Sequence, residues 1–450
     1  MKKFAFLFTI VGTLLLFASP YAFAAADPAA TPMNAYLTLL ILFVAAVLFF
    51  SEIIPLPVTA MLVPVSLSML HIIPANAAFS NFGNKWVVIF MAMFIVGEST
   101  FITGFADKIG KATIKLSKGS EIRLLVLAMC SVGVLSAFLS NTGTTVVAIP
   151  MIMGMCASAN IRPSKILMPV AFAASLGGTM TLVGTPPNGL VNSVLEKMGP
   201  AGLQPFGFFE FAKIGGILFV ISILYYSFVG NKFLPDGASE CEETEIIKPS
   251  RPEKMWWSLI IFFFVVAAMA TKIMPLVTAA MLGACLVIIT GCITMEEAYK
   301  SVDWTTIFLF AGMLSMSSAM QSSGAAQLIA DTVVHYVSSP YGLLAVICAV
   351  TALVTNFMSN TATAALMAPL AIPIALSSGI SPLPLVMGIA MSASACFLTP
   401  IATPPNTIVL GPGKYSFSQY IKAGWPLQVI SFIVIVTVVP IILPFAPPAP

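Results

Sequence analysis

Two short polar tripeptides interrupt an otherwise apolar chain. Ser140-Asn141-Thr142 lies in the run SAFLSNTGTTVVAIPM, and Ser359-Asn360-Thr361 lies in TNFMSNTATAALMAPL, 219 positions later (359 − 140). Each copy is followed by a second break. These are Gly184-Thr185-Pro186-Pro187-Asn188 and Ala402-Thr403-Pro404-Pro405-Asn406, 218 positions apart (403 − 185). Hydroxyls, carboxamides and free backbone ends are the groups of an ion site. Their oxygens accept a hard cation such as Na⁺, and their N–H and O–H groups donate to an anion. Other chemistries lack their residues. Only His71 and His335 are present, the seven cysteines show no CxxC spacing, and no HExxH, nucleophile elbow or paired acids fall in the apolar runs. This argues against a His-ligated metal centre and against a membrane-embedded enzyme; nothing points to nucleic acid.

Composition fixes the setting of these breaks. The chain is 59% hydrophobic and 8% charged, with a mean hydropathy of +1.01, whereas soluble domains carry about 25% charged residues. It therefore reads as an all-α polytopic membrane protein. Residues 1–26 fit either a cleaved signal peptide or a first transmembrane helix, and both deliver the next segment to the outer face. The first half, 34–230, has three scaffold spans within 34–104, a broken apolar hairpin at 123–160, a broken helix at 165–198 and a last span at 208–230. A charged cytoplasmic linker, 231–255, follows. The second half, 256–446, repeats the order: scaffold spans within 256–320, a hairpin at 341–378, a broken helix at 383–412 and a last span at 424–446. Val58-Thr59 matches Val277-Thr278, Trp86 matches Trp304 and Pro150 matches Pro369 at the same offsets, so the halves are a duplication.

Each hairpin arm is about 16–18 residues, short for a full span, and basic residues flank both ends of the first. It is read as re-entrant, in preference to two crossings with a tight turn. Each half then makes five crossings. An odd number turns the second copy over, giving two inverted repeats. On this topology sixteen of the twenty Lys and Arg residues are cytoplasmic, leaving Lys85, Lys197, Lys213 and Lys272 outside, as the positive-inside rule expects. The C-terminus falls outside.

The broken elements explain why polar residues sit at membrane depth. Irregular backbone there must line a cavity or be buried in protein. At a hairpin tip, the incoming helix ends in unpaired carbonyls and the outgoing one begins with unpaired N–H groups. The first suits a cation and the second an anion. Ser136 and Ser140 are four apart at the end of one arm, and Thr355 and Ser359 repeat them. The Pro-Pro breaks free further carbonyls near Val183-Gly184 and Ile401-Ala402. No Asp or Glu lies in a tip or break, which argues against a proton-driven pump. Two hairpins opening to opposite faces favour alternating access over a channel. Glu98, the clearest acid near a span, reads as a cytoplasmic-end or scaffold residue in preference to a coupling residue.

At these residues the sequence resembles the divalent anion:sodium symporter family, which contains sodium-coupled di- and tricarboxylate and sulfate transporters. The paired Ser-Asn-Thr tripeptides, the run SACFLTPIATPPNTIV (Ser394–Val409) and the run GPGKYSFSQYIKAG (Gly411–Gly424) carry the resemblance over about 34–446. It implies an elevator-type homodimer in the bacterial cytoplasmic membrane, with a scaffold and a mobile transport domain. It implies one sodium site at Ser136, Ser140, Asn141 and Gly184, and another at Thr355, Ser359, Asn360 and Ala402. A small dianionic substrate would meet Ser140, Asn141, Thr142, Thr185, Ser359, Asn360, Thr361, Thr403 and Pro404. The expected activity is sodium-coupled import of C4-dicarboxylates. The alternatives are a sodium-independent dicarboxylate exchanger and a sulfate or tricarboxylate carrier of the same family.

Overall fold

Apolar runs without enough polar side chains to meet their own amides can be buried or placed in lipid only as helices. The computed structural model describes residues 32–117, 120–159, 161–200, 202–235, 250–337 and 339–446. The expectations for residues 1–26, for most of the linker and for the C-terminal end lie outside these. Within them, the regular structure is helical and contains no strand.

Among the described residues, ten α-helices fall in each half. In the first half they are α1 (Pro32–Ser51), α2 (Leu56–Met69), α3 (Ala75–Phe79), α4 (Lys85–Ile102), α5 (Phe105–Ser117), α6 (Glu121–Ser136), α7 (Asn141–Ala159), α8 (Leu167–Gly178), α9 (Pro186–Met198) and α10 (Ala212–Phe228). In the second they are α11 (Met255–Thr271), α12 (Leu276–Ile289), α13 (Met295–Ser301), α14 (Trp304–Ser322), α15 (Ala325–Tyr336), α16 (Pro340–Thr355), α17 (Asn360–Ser377), α18 (Leu383–Ser394), α19 (Pro404–Leu410) and α20 (Phe417–Ile442). The two series correspond one to one. Matching residues start matching helices. Pro55 and Pro275 stand extended just before α2 and α12, and Pro186 and Pro404 open α9 and α19. Proline suits a first helical turn because the N–H it lacks would be unpaired there.

The halves also exchange partners. Helix α2 packs on α14 as α12 packs on α4, and α9 packs on α17 as α19 packs on α7. Such crossed pairs are what a two-fold relation between repeats produces. Within each half the first hairpin arm lies on the first piece of the broken helix, α6 on α8 and α16 on α18.

Burial separates two kinds of helix. Every residue of α8 is buried, and all of α18 except Leu383. A helix apolar all round and buried all round belongs to the interior of a membrane protein. Helices α11 and α20 instead expose Trp256, Trp257, Phe263, Trp425, Val429 and Ile433, as surfaces in contact with lipid do. Among the described residues, five helical stretches, including Met33–Ser51 and Phe417–Ile442, are individually long and apolar enough to cross a bilayer. The hairpin arms and broken helices are shorter, because their interruptions fall at polar residues. One element was not legible in the pattern. The basic stretch after residue 104 forms α5, which matches the weakly amphipathic α15.

The Ile102 carbonyl accepts from the Arg251 N–H, Arg251 pairs with Glu297 at 2.8 Å, and Lys108 lies over the Trp256 ring. Elsewhere Lys85, Lys272 and Glu196 line a single pocket, with Lys85 paired to Glu196 at 2.9 Å.

Candidate functional site

A helix that ends inside a protein must hand its last carbonyls and first amides to something. Helix α6 ends at Ser136 and α7 begins at Asn141, with the Ser140 hydroxyl accepting from the Gly143 N–H at 3.3 Å. Helix α16 ends at Thr355 and α17 begins at Asn360, with the Ser359 hydroxyl accepting from the Ala362 N–H at 3.2 Å. Both tips are capped in the same way by the first residue of the tripeptide.

Behind each tip lies the same polar cluster. The Ser136 hydroxyl is 2.6 Å from Asn141 Oδ1 and 2.7 Å from the Ala174 carbonyl. The Thr355 hydroxyl is 3.0 Å from Asn360 Oδ1 and 2.6 Å from the Ala393 carbonyl. Both hydroxyls are fully buried. A hydroxyl has one proton, so it satisfies one of two acceptors and leaves the other facing it lone pair to lone pair. More oxygens converge in the first half. A methyl group built on Gly178 would collide with Asn141 Oδ1, and one on Gly184 would collide with the carbonyls of Ala137 and Gly178. Such a gathering of neutral oxygens can coordinate a hard monovalent cation. The second half carries Ala402 where the first has Gly184.

The Pro-Pro breaks are braced by residues whose part was not evident in the sequence. Asn188 Nδ2 donates to the carbonyls of Thr179 and Thr181. Asn406 Nδ2 donates to those of Cys396 and Thr399. The Thr181 hydroxyl donates to the Ala137 carbonyl and the Thr399 hydroxyl to the Asn356 carbonyl, which ties each break to the adjacent tip. The matched offset of the two Thr-Pro-Pro-Asn runs was the available signal.

All nine residues expected at the substrate line one cavity of about 250 Å³: Ser140, Asn141, Thr142, Thr185, Ser359, Asn360, Thr361, Thr403 and Pro404. Of the cation candidates, Ser140, Asn141, Gly184, Ser359 and Asn360 also reach its wall, while Ser136 and Thr355 sit behind it. The cavity is small beside the roughly 300–1,000 Å³ of drug-sized ligand sites. Among the described residues no Lys or Arg lines it, and the one ionisable lining residue is Asp303, at the start of α14. Asp303 does not stand out in the sequence, because it lies at the end of a scaffold span and outside the tips and breaks.

The two tips differ in exposure. Asn360 and Thr361 are buried, whereas Asn141 and Thr142 are partly open. Ser140, Thr142 and Gly143 also border a second space of about 560 Å³, walled by Glu98, Glu297, Lys300 and Asp303. The corresponding space on the other half is filled. There Asn81 Nδ2 donates to the Ser315 hydroxyl, Ser315 donates to the Ala78 carbonyl, and Lys197 Nζ donates to Asn81 Oδ1 and the Leu314 carbonyl. The cavity is thus open toward α13 and closed toward α3.

Broken helices meeting at a polar cavity within an all-helical membrane protein suit a transporter, and the family match makes the chain one and not an enzyme. The chain belongs to the citrate transporter family (CitMHS), whose family model matches residues 46–375 and 316–448. It is 26% identical to the uncharacterised transporter YfbS of Escherichia coli, over 90% of this chain and 98% of that one. It is also 26% identical to the sodium-dependent dicarboxylate transporter SdcS of Staphylococcus aureus, over 97% of this chain and 90% of that one. Among solved structures, the YdaH transporter of Alcanivorax borkumensis shares the fold with a TM-score of 0.63 at 16% identity, covering 92% of this chain and 99% of its own. MtrF of Neisseria gonorrhoeae, from a class of antimetabolite efflux pumps, also scores 0.63, at 15% identity.

Proposed function

We propose that the protein is a sodium-coupled symporter importing C4-dicarboxylates such as succinate, malate or fumarate across the bacterial cytoplasmic membrane. One observation carries this reading. Each half holds a buried hydroxyl between a tripeptide carboxamide and a backbone carbonyl, directly behind a tip that faces the shared cavity. Sodium bound at Ser136, Asn141 and Gly184, with Ser140 at the tip, would fix the first tip. Sodium at Thr355, Asn360 and Ala402, with Ser359, would fix the second. The fixed tips then offer Asn141, Thr142, Asn360 and Thr361, with Thr185, Thr403 and Pro404 from the breaks, to the two carboxylates. Without Lys or Arg in the cavity, sodium charge and helix N-termini must balance the anion. This couples the two and favours symport over sodium-independent exchange. SdcS, a sodium-dependent dicarboxylate transporter, supports the same assignment.

Alternating access follows from the unequal tips. With the charge-derived topology, the open side at Glu297 and Lys300 is cytoplasmic, so the cavity stands inward-open. The hairpins and broken helices would move as one transport domain against a scaffold of α1–α4 and α11–α14 in an elevator-type homodimer. Thermal unfolding of the purified protein tests the binding step. Succinate should raise the melting temperature in Na⁺ and leave it unchanged in K⁺. A shift of equal size in K⁺ would remove sodium from the site.

A further inference from the structure

Among the described residues the cavity holds one fixed charge, and it has the wrong sign for an anion site. Asp303 lines both the substrate cavity and the space that leads out of it. Its position is fixed by capping. Asp303 Oδ1 accepts from the N–H groups of Thr305 and Thr306, and Oδ2 accepts from the Thr306 hydroxyl at 2.6 Å. The carboxylate is therefore held rigidly at the wall, on α14 and not on the hairpins or broken helices. Capping alone does not need the charge, because asparagine caps as well as aspartate. The corresponding helix of the first half is capped by Asn84, whose Oδ1 accepts from the Trp86 N–H at 2.9 Å.

The geometry assigns to Asp303 a specificity role: it is the residue that discriminates against trianions in favour of dianions. This rests on the proposed carboxylate transport. Two sodium ions and a dianion are neutral together, leaving only Asp303. Two sodium ions and a trianion leave one negative charge beside a fixed carboxylate across a cavity too small to separate them widely. Asp303 is exposed on the wall, so its field is screened; Coulomb repulsion across about 8–10 Å, at an effective dielectric constant of about 40–80, weakens binding by roughly twofold to sixfold for each ligand charge. The penalty therefore grows from dianion to trianion, although the neutral donors of the tips would accept either. Membership of a family whose model is described as a citrate transporter gives this discrimination its point.

Calorimetric titration of the full-length protein in Na⁺ tests it, with succinate, tricarballylate and a monoamide of tricarballylate as ligands. The monoamide has the size of the trianion and the charge of the dianion. The wild type should bind the monoamide more tightly than tricarballylate. In Asp303→Asn, which keeps the helix cap, tricarballylate should gain about twofold or more over the gain shown by the monoamide. Asp303→Ser should repeat the result, and unchanged melting temperatures for both variants would show the fold intact. Equal gains for both tricarballyl ligands, or none, would overturn the assignment while leaving the transport reading in place. A wild type that binds none of the three in Na⁺ would remove both.

Discussion

A hydroxyl held between two carbonyl-type oxygens cannot satisfy both, and this chain builds that arrangement twice, at Ser136 and Thr355. A cation in the cluster would turn the surplus lone pairs into ligands. Replacing Ser136 with Ala, or Thr355 with Val, removes one ligand and leaves the packing nearly unchanged. Each variant should raise the sodium concentration for half-maximal uptake about tenfold, a loss the size of one hydrogen bond to a charged group. A sodium titration of uptake reads it, and an unaltered titration would detach these hydroxyls from coupling. Gly178→Ala should be more severe, because the new methyl would occupy the place of Asn141 Oδ1; sodium-stimulated uptake should disappear while the purified protein still unfolds cooperatively. The tips were legible in the sequence because Ser-Asn-Thr is conspicuous inside apolar runs and occurs twice at one offset. Asp303 was not, because an acid at the end of a span looks like any helix cap until the fold brings it to the cavity. Asn188 and Asn406 were visible as part of a motif, but their bracing of the break depends on carbonyls whose directions only the fold supplies.

At the scale of elements, the two sides of the cavity differ. On the closed side, Lys197 extends from α9 to Asn81 and to the Leu314 carbonyl of α14. Lys197→Met keeps the length of the side chain and removes the donors. The result should be faster amide exchange across 75–83 and a stability loss of about 1–3 kcal/mol, because two acceptors lose a charged partner. Exchange in that segment unchanged from wild type would show that Lys197 does not hold this side closed. On the open side, Arg251 donates to Glu297, and that hydrogen bond is the main reason the Glu297 carboxyl is pulled down to about 2 from an ordinary value of 4.5. A depressed folded-state value means that the contribution to stability is present above the ordinary carboxylate range. It is lost as pH falls from there toward about 2. The pair is partly exposed, so its worth is at most about 1 kcal/mol. Acid unfolding of Arg251→Met should therefore lose part of its pH dependence in that window, and a profile identical to wild type would contradict the pairing. Helix order followed from apolar runs, proline positions and the repeat. Helix α5 did not, because a short amphipathic helix rich in lysine has the same composition as a charged loop.

At the scale of the molecule, two copies of one plan meet at a single cavity, with partners exchanged between halves and one side open. Neither tip is complete without the other, so Asn141→Ala and Asn360→Ala should each abolish transport and not merely halve it. The duplication was plain in the sequence. The unequal exposure of the tips was not, since both copies carry the same tripeptide and only tertiary packing separates an open side from a closed one. The central claim is that sodium and a dicarboxylate cross together. It is tested most directly by uptake of labelled succinate into proteoliposomes containing the purified protein. An inward sodium gradient should drive accumulation above the external concentration, and replacing Na⁺ with K⁺ should abolish it. Uptake indifferent to sodium, yet driven by dicarboxylate loaded inside the vesicles, would contradict the account and make the protein an exchanger.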